Sequence, residues 1–176
     1  ASIPEGERRD LDGYKRMADE FNKIGANAKA NGIKFIYHNH GYGLKEVDGI
    51  IPLNLILERT DPALVFFEMD VFWTLAGGAD PVRLLDDNPG RYKLMHVKDM
   101  TKQVHFSGDG GNPKQWVELF PYITDAGSGI LDFPTILSHA KKSGVDHFIL
   151  ENDAITDPKQ SLEKGYKFLS SVELKD

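Results

Sequence analysis

Four short apolar runs punctuate the chain, and each finishes on ionisable side chains. They are Ile33–His40 (IKFIYHNH), Leu64–Asp70 (LVFFEMD), Tyr92–Asp99 (YKLMHVKD) and His147–Asp153 (HFILEND). Each opens with aliphatic or aromatic residues, as a strand buried on both faces does. Helical periodicity fills the stretches around them. Leu11, Tyr14, Ala18, Phe21, Gly25 and Ala28 recur at steps of three and four and predict a helix from about Asp10 to Ala30, ended by Asn31-Gly32. A second helix is expected over Ile50–Arg59, burying Leu53, Ile56 and Leu57, with Thr60-Asp61-Pro62 as its stop. Asp80-Pro81 reads as the cap and first residue of a short helix through Leu85, broken by Asn88-Pro89-Gly90. Asp132-Phe133-Pro134 opens a helix that turns Ile136, Leu137 and Ala140 inward and closes at Ser143-Gly144, and a last helix runs from about Pro158 to Ser170 with Leu162, Tyr166 and Leu169 buried. Between Met100 and Gly129 the pattern is irregular, and a loop of that length in a compact domain is usually functional or mobile.

Strand and helix therefore alternate four times after a leading helix, without a linker, and the chain reads as one α/β domain over residues 1–176. Such alternation implies parallel strands joined by right-handed crossovers, in an open sheet or a closed barrel. An open sheet collects its ligands at a switch point, whereas a (β/α) barrel gathers functional groups from many strand ends. Four ionisable ends out of four favour the barrel. A complete barrel takes about 250 residues, so the expectation is the last four strand–helix units only, with Ala1-Ser2-Ile3-Pro4 as the tail of a preceding strand and loop: a fragment, or a half-barrel completed by a second copy.

Composition narrows the chemistry. A net charge of −6 disfavours nucleic acid, since phosphate binding needs a positive surface. The apolar runs are far too short to span a bilayer, and no signal-like segment opens the chain, so a soluble protein of cytoplasm or periplasm is expected. With no cysteine, any metal must be held by nitrogen and oxygen. Imidazoles and carboxylates brought to one sheet edge are the donor set of a divalent ion. On the second run Glu68 and Asp70 share a face, with Met69 opposite.

FEMDVFW, AGGADP, MHVKD, GSGILDF and FILEND, in that order, resemble the C-terminal half of the sugar phosphate isomerase/epimerase family with the xylose isomerase-like TIM barrel. YHNH resembles the branch of that family whose strand ends on His-Asn-His. The resemblance implies one divalent ion (Mn, Mg, Co or Zn) at the barrel mouth. Matched by motif, its ligands are Asp70, His96 and Glu151. The remaining family ligand, a glutamate, falls on or beside His38, which either replaces it or leaves the position to water and substrate. The same resemblance implies proton transfer through a metal-stabilised enediolate, with Glu151 as both ligand and proton-transfer group.

Other residues divide between chemistry and plain structure. His40, near neutral pKa, is the second acid/base candidate. Lys98, on the face of His96, and Lys102, in the following loop, are candidate substrate contacts, whereas Asp99 is expected to organise that loop. Trp73 suits a sugar-stacking wall or simple core, and Asp70 alone also suits a helix cap. The function expected is a metal-dependent sugar or sugar phosphate isomerase or epimerase. A dehydratase of the same superfamily acting on an inosose or keto sugar is the alternative, and a non-catalytic sugar-binding or partner subunit is the alternative of another class.

Overall fold

A computed structural model describes residues 3–175, so Ala1 and Ser2 of the expected strand tail lie outside the described residues. A short 3-10 turn, Glu5–Arg8, leads into α1 (Leu11–Ala30), followed by β1 (Phe35–His38), α2 (Pro52–Arg59), β2 (Val65–Asp70), α3 (Val71–Ala76), α4 (Pro81–Asp87) and β3 (Tyr92–Val97). Next come β4 (Asp99–Met100), α5 (Pro113–Leu119), a 3-10 turn at Phe120–Tyr122, β5 (Ile123–Thr124), α6 (Phe133–Ser143), β6 (His147–Leu150) and α7 (Pro158–Ser171).

The four main strands pair in parallel in the order β1-β2-β3-β6. This is the α/β arrangement of an incomplete barrel wall. Alternation sends Tyr37, Phe67, Met69, Met95 and Val97 to the helix side, where all are buried. Tyr14, Ala18, Phe21 and Gly25 form the buried stripe of α1, and the Phe21 ring meets those of Tyr37 (4.8 Å between centroids) and Phe35 (5.3 Å). Burying each such aromatic contributes on the order of 1.5–3 kcal/mol. Side-chain caps fix the helix starts: Asp10 accepts from Gly13 N–H, Asp80 from Val82 N–H and Asp157 from Gln160 N–H, at 2.8–3.0 Å.

Three expectations are corrected. The strands are buried on one face only: the opposite face, with Phe66, Leu94 and Ile149, is partly open because no layer packs on it among the described residues. In α7, Leu162 (57% exposed) and Tyr166 (70% exposed) lie outside the core, since β6 is the sheet edge and α7 covers it with Gly165, packed on Leu150. The segment between Met100 and Gly129 is more regular than a loop. Asn112-Pro113 caps and starts α5, and β4 pairs antiparallel with β5. No helix among the described residues is long and apolar enough to cross a membrane.

Candidate active site

Parallel pairing sets the register at the strand ends: His38 lies opposite Glu68, and Asp70 opposite His96. Glu151, directly after β6, reaches the same place. His96 Nδ1 lies 2.7 Å from Glu151 Oε2 and 3.6 Å from Asp70 Oδ2, while its Nε2 lies 3.1 Å from Glu68 Oε1. The second oxygen of Glu68 is 3.2 Å from His38 Nδ1. One imidazole thus stands between three carboxylates.

Asp70 does two jobs at once. Its Oδ1 accepts from Trp73 N–H at 2.9 Å and caps α3, leaving Oδ2 turned into the cluster, buried and without a hydrogen bond of good geometry. The cap and the ligand readings of Asp70 are therefore compatible, one oxygen each. Lys98, fully buried, points its ammonium at Asp70 Oδ2 (3.1 Å), Glu151 Oε2 (2.8 Å) and Asp153. Its three protons face protein carboxylates.

Charge follows from these contacts. Burial opposes ionisation of His96, but the carboxylates of Asp70, Glu151 and Glu68 around the ring outweigh it and raise its pKa to about 11. Burial likewise works against the charge on Glu68, yet the His38 and His96 rings hold it down at about 2. The His96 hydrogen bond, with help from Lys98 and against the effect of burial, keeps Glu151 at about 2 as well. For Asp70 the Lys98 charge overcomes burial and leaves its pKa below the usual value. His40 differs: burial, then the neighbouring His38, lowers its pKa, so it is a neutral imidazole at pH 7.

His40 sits under a second aromatic surface. Its ring stacks on Trp116 of α5 (5.1 Å between centroids, 26° between planes) and meets His38 edge-on at 4.4 Å. The turn that carries it is made by Asn39, whose amide donates to Tyr42 C=O at 2.9 Å, and by Gly41 at φ 87°, where a Cβ would lie 2.4 Å from Trp73 C=O. Asp99 organises the neighbouring loop, as expected. Its buried carboxylate accepts from the backbone N–H groups of Met100, Gly127, Gly129 and Leu131 at 2.7–3.2 Å.

The structure thus brings Asp70, His96 and Glu151 together, with Lys98 behind them. His38 borders that triad: its ring lies 4.7 Å from that of His96, and its Nδ1 faces Glu68. Trp73 is buried, stacked on Phe106 (5.6 Å) and 5.3 Å from Lys98 Nζ, so it backs the lysine from inside the core. Lys102 points elsewhere, over the Tyr122 ring at 4.5 Å. Glu68, Asp153 and Trp116 are the members that sequence reasoning left without a role. Glu68 carried a signal in the face it shares with Asp70, and Asp153 in its place at the end of the fourth run.

Among the described residues, two groups of side chains offer ligand atoms within 4.8 Å of one another: Asp70 with His96 and Glu151, and His38 with Glu68 and His96. The first fits a divalent ion. It combines two carboxylates and an imidazole, and Asp70 Oδ2 and His96 Nδ1 are buried polar atoms without hydrogen-bond partners of good geometry.

A parallel strand–helix wall with imidazoles and carboxylates at the C-terminal strand ends is the layout of one side of a (β/α) barrel whose functional groups gather at its mouth. The family model described as Xylose isomerase-like TIM barrel matches residues 1–172, and the chain belongs to that family. An inosose dehydratase of Clostridium beijerinckii is 27% identical over 169 residues, covering 89% of this chain and 53% of that enzyme. Another, of Clostridium tetani, is 34% identical over 92 residues, 52% of this chain and 30% of that enzyme. A solved structure described as a sugar phosphate isomerase/epimerase from Parabacteroides distasonis superposes with a TM-score of 0.74 at 28% identity, covering 92% of this chain and 53% of that one. The chain spans about half the length of the first two of these, at most, and about half of the third.

Proposed function

We propose that the protein acts as a divalent-metal-dependent dehydratase on an inosose or a related keto sugar, and that Asp70, His96 and Glu151 hold the ion. The observation that carries this reading is the convergence of those three side chains, with the neutral imidazole of His40 one ring away across His38. The inosose dehydratases among the relatives favour loss of water over simple rearrangement. A bound divalent ion would supply Lewis-acid polarisation of the substrate carbonyl.

The chain's own groups handle the protons. Glu151 is assigned removal of the proton on the carbon next to the carbonyl, and His40 is the second proton-handling group. Ion binding requires a neutral His96, and losing the His96 hydrogen bond removes the largest influence that holds Glu151 down. Glu151 and the neutral imidazole are both acceptors at rest, so the group that takes the C–H proton becomes the acid that delivers it to the departing hydroxyl. Trp116, stacked on His40, covers one face of that ring.

The second reading, a sugar or sugar phosphate isomerase or epimerase, uses the same residues and is supported by the likeness to the Parabacteroides structure. In it the abstracted proton returns to carbon. Incubating the metal-supplemented protein with an inosose in D2O separates the two. The expected product is lighter by one water. A product of unchanged skeleton carrying solvent deuterium would favour the epimerase, and an unaltered substrate would contradict both.

A further inference from the structure

Glu68 has no part in the reading above, and each of its oxygens faces an imidazole. Oε1 lies 3.1 Å from His96 Nε2 and Oε2 lies 3.2 Å from His38 Nδ1. Strand alternation puts it on the same face as Asp70 and one step further from the strand end. His96 therefore turns one nitrogen, Nδ1, toward Asp70 and Glu151 and the other, Nε2, toward Glu68.

A neutral imidazole carries one N–H, and an ionised carboxylate only accepts. We infer that Glu68 is a positioning residue that keeps the proton of neutral His96 on Nε2, so that the Nδ1 lone pair faces Asp70 and Glu151. The inference rests on the reading that these three hold the ion. Carboxylates that bind the far nitrogen of a metal-ligating histidine fix both ring orientation and tautomer. In this chain His38 stands where the resemblance expects a ligand carboxylate, and Glu68, one strand over, supplies a carboxylate that acts through imidazoles.

A ligand role for Glu68 would demand the opposite proton arrangement. The group His38, Glu68 and His96 needs Nε2 of His96 as its donor atom, whereas the group Asp70, His96 and Glu151 needs Nδ1. The fully buried Asp70, with an oxygen that makes no hydrogen bond of good geometry, favours the second.

The test has two arms on the purified chain, with Zn2+ as the probe. Glu68→Gln should weaken Zn2+ binding, read by competition with a chromophoric chelator, by about 10–100-fold while one ion per chain is still taken up. In the unsubstituted protein labelled with 15N-histidine, the Zn2+-loaded His96 should show a protonated Nε2 and a metal-bound Nδ1; this arm needs no variant to fold. A Glu68→Gln affinity within twofold of the original, complete loss of the ion, or Nε2 as the bound nitrogen would each overturn the inference. Should the unsubstituted chain take up no Zn2+ at all, the ligand reading itself falls and this one with it.

Discussion

Glu151→Gln is expected to cut turnover by about 10²–10⁴-fold, the range spanned by positioned acid–base groups, and to leave the fold in place. Glutamine matches glutamate in shape, and the Glu151 side chain is 38% exposed, so no cavity forms. Its amide oxygen still accepts one hydrogen bond, and Lys98 keeps Asp70 and Asp153 as partners. What disappears is the negative charge beside His96 Nδ1 and the ability to take a proton. Turnover measured at saturating divalent ion, with a melting curve as control, checks this. Near-original turnover would remove Glu151 from the proton-transfer role.

Lys98→Met is expected to destabilise the fold by about 3–5 kcal/mol, the cost of stripping one partner from a buried ion pair. Lys98 and Asp70 both have fully buried side chains, 3.1 Å apart. Methionine preserves most of the apolar stem against Trp73 but leaves Asp70 without the charge that keeps it ionised. Urea unfolding should show a lower midpoint at unchanged slope. Adding Asp70→Asn to the variant should recover part of the loss, because the penalty belongs to the stranded carboxylate. A loss of about 1 kcal/mol or less, the value of a surface pair, would show that Lys98 is no internal counter-charge.

Much of this arrangement was legible in the residues, and the rest was hidden for identifiable reasons. The four runs became β1, β2, β3 and β6 because parallel crossovers need apolar strands and periodic helices in alternation. Nothing in HFILEND reveals that β6 is an edge, so the exposure of Ile149, Leu162 and Tyr166 depends on neighbours and not on the run itself. Parallel strands announced that four ionisable ends would meet on one side, and the motif match to the family picked Asp70, His96 and Glu151 among them. The role of Lys98 could not be read in this way, since a lysine after an apolar strand reads as an outward contact until Asp70, Glu151 and Asp153 from two other segments are seen to surround it. Trp116 lay in the irregular stretch after Met100, for which no helix was expected.

The same neighbours decide how the site carries charge. Glu68, Asp70, Glu151 and Asp153 crowd around one lysine and the His96 ring, and without an added cation a protonated His96 offsets part of their negative charge. Metal uptake must therefore release a proton from His96.

Divalent-ion titration of the chain and of its Asp70→Asn variant, by calorimetry with metal analysis of the gel-filtered protein, tests the central claim most directly. One ion per chain, accompanied by proton release and lost or strongly weakened in Asp70→Asn, is the expected result. An unsubstituted chain that retains no ion, or an Asp70→Asn variant that binds as tightly as the original, would contradict it.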